Sequence, residues 1–141
     1  MEARISLLTL GVSDLTRSKA FYEALGFPTT WSPDKGVIFF KTSGTALSLF
    51  PIKELVKDIG DNREPKFPAF SGITIAHNTR EKHQVDEVMA LVEKAGGKIV
   101  KKPQEAFWGG YSGYFTDPDG HMWEVAWGAF PFRPDGSLDI P

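Results

Sequence analysis

Apolar and polar positions alternate with a period of two over residues 4–12. Ser6, Leu8, Leu10 and Val12 fall on one face, and Ile5, Leu7, Thr9 and Gly11 on the other, which predicts a strand. The period then changes. Leu15, Phe21, Tyr22 and Leu25 share one side of a helix that Ser13 or Asp14 can cap and Gly26 can end. Three short strands are expected near 28–32, 36–41 and 45–50, punctuated by Pro33 and Gly44, with one or two helical turns at 52–59. Residues 60–69 are polar, contain two prolines and read as a linker. The pattern restarts with a strand at 71–77 and a helix at 80–95, where Val85, Val88, Met89 and Val92 recur at helical spacing before Gly96 and Gly97. Strands near 97–101, 111–116 and 121–127 follow, and a tail rich in Pro and Gly closes the sequence.

Both halves therefore run strand, helix, strand, strand, strand. Phe39-Phe40-Lys41-Thr42-Ser43-Gly44 before Thr45-Ala46-Leu47-Ser48 echoes Tyr114-Phe115-Thr116-Asp117-Pro118-Asp119-Gly120 before His121-Met122-Trp123-Glu124. With one gap, Gly44 meets Gly120 and Ser48 meets Glu124, as an internal duplication requires. The expected fold class is α+β. One domain spans 1–141, with a first module at about 4–59, the linker, a second module at about 70–128, and a tail at 129–141.

The strand faces carry the functional argument. Leu8, Leu10, Leu47, Leu49, Ile73, Ile75, Trp123 and Val125 make one face bulky and apolar, suited to packing against helices. The other reads Leu7, Thr9, Gly11, Ala46, Ser48, Gly72, Thr74, Ala76 and Glu124. Such small residues leave room, and a roomy, mildly polar face suits a small-molecule site. Glu124 follows a tight Asp117-Pro118-Asp119-Gly120 turn and is a lone carboxylate in an apolar strand. Buried without a partner it would be costly, so a hydrogen bond from Thr9, Ser48, Thr74, Tyr114 or an ordered water is expected. Glu124 is then either a ligand-orienting group or general base, or a structural remnant of an older site. Trp31, Phe39, Trp108 and Tyr114 are the aromatic candidates for lining the cavity. Trp108 lies in the loop Phe107-Trp108-Gly109-Gly110-Tyr111, whose glycines let backbone turn or approach a ligand.

Composition narrows the field. With 16 Lys and Arg against 18 Asp and Glu, the net charge of −2 gives no reason to expect nucleic acid. The cluster Lys98, Lys101, Lys102 reads as a solvated strand edge. No apolar run approaches the roughly 20 residues of a membrane span. The absence of cysteine removes disulfides, thiol catalysis and thiolate metal sites, and fits an expected cytoplasmic location. His77, His83 and His121 have surface or edge positions, so no Ser-His-Asp set is indicated. Gly109-Gly110 lacks the lysine and helix of a phosphate loop.

Gly11-Val12-Ser13-Asp14-Leu15, Arg17-Ser18 and Phe21-Tyr22, followed late by Tyr114-Phe115-Thr116-Asp117-Pro118-Asp119-Gly120 and Glu124, resemble the glyoxalase / bleomycin resistance / extradiol dioxygenase (vicinal oxygen chelate) superfamily over roughly residues 4–127. The resemblance implies paired βαβββ modules whose curved mixed sheets enclose a cleft, within one chain or across a homodimer. It also implies one divalent metal held by four side chains from the first and last strands of each module. Carried over by motif, those positions are Leu7, Ser48, Gly72 and Glu124. Leucine and glycine offer no donor atom, and serine is a poor ligand for such metals. The expectation is therefore a protein without a cofactor that binds a small organic molecule beside Glu124. The alternative is a metal-dependent lyase, isomerase or dioxygenase using Glu124. A homodimer is favoured, with neither nucleic acid nor membrane as partner.

Overall fold

A computed structural model describes residues 1–60, 64–128 and 130–141. Residues 61–63 of the expected linker, and Ala129 at the start of the tail, lie outside that range. The chain divides into two compact units, Met1–Pro68 and Ala69–Pro141.

The first unit runs β1 (Leu7–Val12), α1 (Leu15–Ala24), β2 (Ile38–Phe40), β3 (Ala46–Pro51) and α2 (Ile52–Asp58), with a 3-10 turn at Pro33–Lys35. Asp14 caps α1, its carboxylate accepting from the Arg17 N–H at 3.0 Å, and Gly26 takes φ 95° just beyond the helix. The sheet order is β1-β3-β2, with β1 and β3 parallel and β2 antiparallel to β3. Leu10 and Ile38 flank Leu49 in this ladder, while Leu8 and Phe40 flank Leu47. These rows are the apolar face predicted from the alternation. Phe21, Tyr22 and Phe27 close over it and, with Phe40 of the row, form a cluster of rings with centroids 5.2–6.1 Å apart, mostly edge-on.

The second unit runs β4 (Ile75–Asn78), α3 (His83–Ala95), β5 (Lys98–Glu105), β6 (Tyr111–Thr116) and β7 (Met122–Trp127), in sheet order β4-β7-β6-β5. Val85, Met89 and Val92 of α3 are buried, as are Phe115, Trp123 and Val125 of the sheet. Gly113 lets helix and strand come together. A Cβ there would stand 2.9 Å from the Lys101 carbonyl oxygen and 3.0 Å from the Met89 methyl carbon. Asp117 holds the turn before β7. Its Oδ1 accepts from the Asp119 N–H at 3.0 Å and the His121 N–H at 2.8 Å, while its carbonyl accepts from Gly120 N–H at 3.0 Å.

Three expectations need correcting. The segment 28–32 is not a strand, so the first sheet has three strands where four were expected. It still runs beside β2, as β5 runs beside β6. Lys41 N–H donates to the Pro28 carbonyl at 3.0 Å, and the Thr29 hydroxyl to the Phe39 carbonyl at 2.6 Å. Pro28 has no N–H to give in return, and Pro33 turns the chain away, so no ladder propagates. Second, the strand expected at 71–77 begins only at Ile75. Gly72 has φ 79°, a left-handed conformation outside any strand, and Ile73 is exposed rather than part of the apolar face. Third, β5 continues past Pro103 to Glu105. It is an edge strand with two register shifts, where a missing N–H is tolerated.

The tail forms a small hairpin. Phe132 pairs with Leu138, Asp139 N–H donates to the Pro131 carbonyl at 2.8 Å, and Arg133 bridges to Asp139 at 2.8 Å.

Candidate functional site

The two sheets are built on one plan, and registers show which residues correspond. β3 and β7 are each six residues long, and each begins two residues after a glycine with positive φ, Gly44 at 84° and Gly120 at 91°. Ser48 and Glu124 are therefore the third residues of equivalent strands, as the duplication required.

In the first unit, Ser48 lies between Thr9 on parallel β1 and Phe39 on antiparallel β2. In the second, Glu124 lies between Ala76 on parallel β4 and Tyr114 on antiparallel β6. Residues directly opposite in a ladder share a face. Thr9, Ser48 and Phe39 thus form one row, and Ala76, Glu124 and Tyr114 the matching row.

The rows are satisfied differently. Ser48 is fully buried, and its hydroxyl shares a 2.7 Å hydrogen bond with that of Thr9. At the other end of that face, α2 fills the space beside Gly11, where an added Cβ would stand 3.2 Å from Ile52. The small-residue face of the first sheet is therefore partly closed by the chain's own helix. Trp31 packs edge-on against Phe39 at 4.9 Å.

In the second unit the Tyr114 hydroxyl donates to Glu124 Oε1 at 2.8 Å. Tyr114 is one of the four side-chain partners expected for this carboxylate. Among the described residues, the other oxygen has no partner. Glu124 is half-buried, and Ala76 beside it is exposed and contributes only a methyl group. Lys101 Nζ stands 5.7 Å from the centroid of the Tyr114 ring. Desolvation, followed by the hydrogen bond to Glu124 and its negative charge, raises the Tyr114 pKa above the ordinary phenol value. The phenol therefore stays protonated and donating through neutral pH.

Other candidates lie apart from this row. Thr74 is exposed and precedes β4, so Ala76 occupies the position beside Glu124. Trp108 packs over the backbone of Gly110 and Gly128, where an added Cβ would stand 1.7 Å and 3.4 Å from its ring. That is the far end of β7, four residues or roughly 13 Å along the strand from Glu124. Lys101 was missed as a site residue. Its charge suggested only a solvated edge, and its proximity to Tyr114 depends on the bulged register of β5.

The superfamily's four-ligand metal site does not fit these residues. Leu7 is exposed and has no donor, Gly72 has no side chain and lies off the strand, and Ser48 is buried with its hydroxyl engaged by Thr9. Glu124 alone is a ligand type. Among the described residues, no three His, Cys, Asp or Glu side chains group as a metal site would need. His77 lies opposite Val125 in the ladder and so faces away from Glu124.

Comparisons with known proteins agree with this architecture. The family model for the Glyoxalase/Bleomycin resistance protein/Dioxygenase superfamily matches residues 4–125. Among solved structures, a glyoxalase-related enzyme from Fulvimarina pelagi is 30% identical with a TM-score of 0.87, covering 98% of each chain. A lactoylglutathione lyase from Agrobacterium tumefaciens is 26% identical with a TM-score of 0.68, covering 91% of this chain and 96% of that one. A glyoxalase/bleomycin resistance protein/dioxygenase from Nocardioides, at 22% identity and a TM-score of 0.76 over 99% and 91% of the two chains, shares the fold. No curated protein matches the sequence.

Proposed function

The chain belongs to the Glyoxalase/Bleomycin resistance protein/Dioxygenase superfamily, and from that footing we propose that it binds a small organic molecule at the Glu124–Tyr114 row without a resident divalent metal. The observation that carries this reading is the accessible second oxygen of a carboxylate whose first oxygen is held in place. Tyr114 fixes one oxygen of Glu124, and the other has no partner among the described residues beside an exposed alanine. A ligand hydroxyl, amide or amine can donate to that oxygen. The Tyr114 ring offers an apolar surface next to it, and Lys101 adds a positive charge near the ring. Glu124 then acts as the orienting acceptor and Tyr114 as the group that positions it.

The metal-dependent alternative, a lyase, isomerase or dioxygenase using Glu124, draws on the likeness to the lactoylglutathione lyase. It requires donors that Leu7, Ser48 and Gly72 do not supply. Elemental analysis of the purified protein separates the two readings. The proposal expects no stoichiometric transition metal in wild type. A stoichiometric metal lost on Glu124→Gln would overturn it. We further propose a two-fold homodimer, for which light scattering at micromolar concentration should give twice the chain mass; a monomeric mass rejects it. Among the described residues, no helix is long and apolar enough to cross a membrane.

A further inference from the structure

The second unit holds a recess of about 400 Å³ where β4 leads into α3, walled by Asn78, Arg80, Gln84, Glu87, Val88 and Phe132. We propose that it binds a small monocarboxylate with an apolar or aromatic body. The volume lies within the usual range for small-molecule sites. The recess does not include Glu124 or Tyr114. His77, which lines it, has Val125 as its ladder partner and so faces away from Glu124.

Two donor groups line it. The Arg80 guanidinium sits 4.6 Å from the centroid of the Phe132 ring, and among the described residues no carboxylate or carbonyl accepts a hydrogen bond from it. The aromatic contact holds the group in place while leaving a planar fork suited to a carboxylate. Gln84 is fixed as well. Its Oε1 accepts from the Arg80 N–H at 3.1 Å and the Glu81 N–H at 2.9 Å, so its amide donors are left without a partner among the described residues.

The remaining walls set the ligand class. Phe132 and Val88 supply apolar surface for the ligand body. Phe132 is anchored by the tail hairpin through its pairing with Leu138 and the Arg133–Asp139 bridge. Desolvation lowers the His77 pKa below that of ordinary imidazole, so His77 adds no second cation at neutral pH. Glu87, whose carboxylate lies 3.8 Å from His83, also lines the recess and opposes a second negative charge, which favours monoanions over dianions.

The test uses benzoate as probe on the full chain, read by amide chemical-shift titration, with benzyl alcohol and benzylamine as uncharged and cationic controls. The expected result is saturable shifts at residues 77–88 and 131–137 with a dissociation constant of about 1 mM or tighter. Arg80→Ala should weaken binding roughly tenfold or more, Arg80→Lys should weaken it less, and Glu124→Gln should leave it unchanged. Arg80 is exposed, so both variants should fold, and an unchanged far-ultraviolet spectrum checks this. The proposal is overturned by the absence of saturable shifts in wild type, by equal binding of benzylamine, by equal affinity in Arg80→Ala, or by shifts centred on residues 114 and 124.

Discussion

The Tyr114–Glu124 contact makes the sharpest demand on the account. Replacing Glu124 by Gln keeps the side-chain volume and a carbonyl acceptor but removes the charge. Replacing Tyr114 by Phe removes the donor. The bond is 2.8 Å and charge-assisted, a kind that contributes about 1.5–3 kcal/mol when well shielded. Glu124 and Tyr114 are both only half-buried, so solvent screening moves the expected coupling to about 0.5–1.5 kcal/mol. A double-mutant cycle by urea unfolding, followed by fluorescence and circular dichroism, measures that coupling. Ultraviolet titration supplies a readout that packing changes would not mimic. Desolvation, the hydrogen bond and the Glu124 charge raise the Tyr114 pKa. Glu124→Gln removes the last and weakens the second, so Tyr114 should titrate lower than in wild type. The linked stability has a defined sign. A raised pKa contributes stability that is fully present below the unfolded phenol value of about 10 and is lost as pH rises through the folded value. Tyr114→Phe should flatten that alkaline decline. Coupling below about 0.2 kcal/mol, together with an unmoved Tyr114 titration in Glu124→Gln, would rule out a bond between the two side chains in solution.

Gly113→Ala should destabilise the second unit by about 1–3 kcal/mol, because its Cβ meets the Lys101 and Pro103 backbone at 2.9 and 3.0 Å as well as the Met89 methyl. The lowered denaturation midpoint checks this, and an unchanged midpoint would mean that β5 moves freely. Asp117→Ala removes the acceptor of two backbone N–H groups from a buried position and should cost about 1–3 kcal/mol. Faster amide exchange at Asp119 and His121 would locate the loss in the turn.

Much of this architecture is legible in the sequence, and the failures share a cause. The alternation around Leu8, Leu10, Leu47 and Leu49 identified the apolar rows because one face of each strand must meet the core. The echo between Gly44 and Gly120 identified equivalent strands because a tight turn needs the same backbone wherever it occurs. At residues 28–32 the composition suits an extended chain, but forming a ladder depends on what Pro28 can donate to β2. Gly72 and Thr74 continue the parity of Ala76, yet parity does not say where pairing begins. Tyr114 was one of several possible partners for Glu124 until the register put it directly opposite. Lys101 and Arg80 were not legible at all. One depends on a bulge in an edge strand, and the other on a tail hairpin that brings Phe132 to a residue 52 positions earlier.

Glu124 is proposed to orient a small organic ligand without a resident metal. The most direct test is a thermal-shift screen of a broad small-molecule library, run on wild type and Glu124→Gln with a chelator present throughout. At tenfold excess over its dissociation constant, a ligand contributes about 1.4 kcal/mol, or roughly 3–6 °C. At least one compound should raise the wild-type midpoint by this amount and leave the variant unmoved. No compound shifting wild type, or every shift being retained in Glu124→Gln, would contradict it.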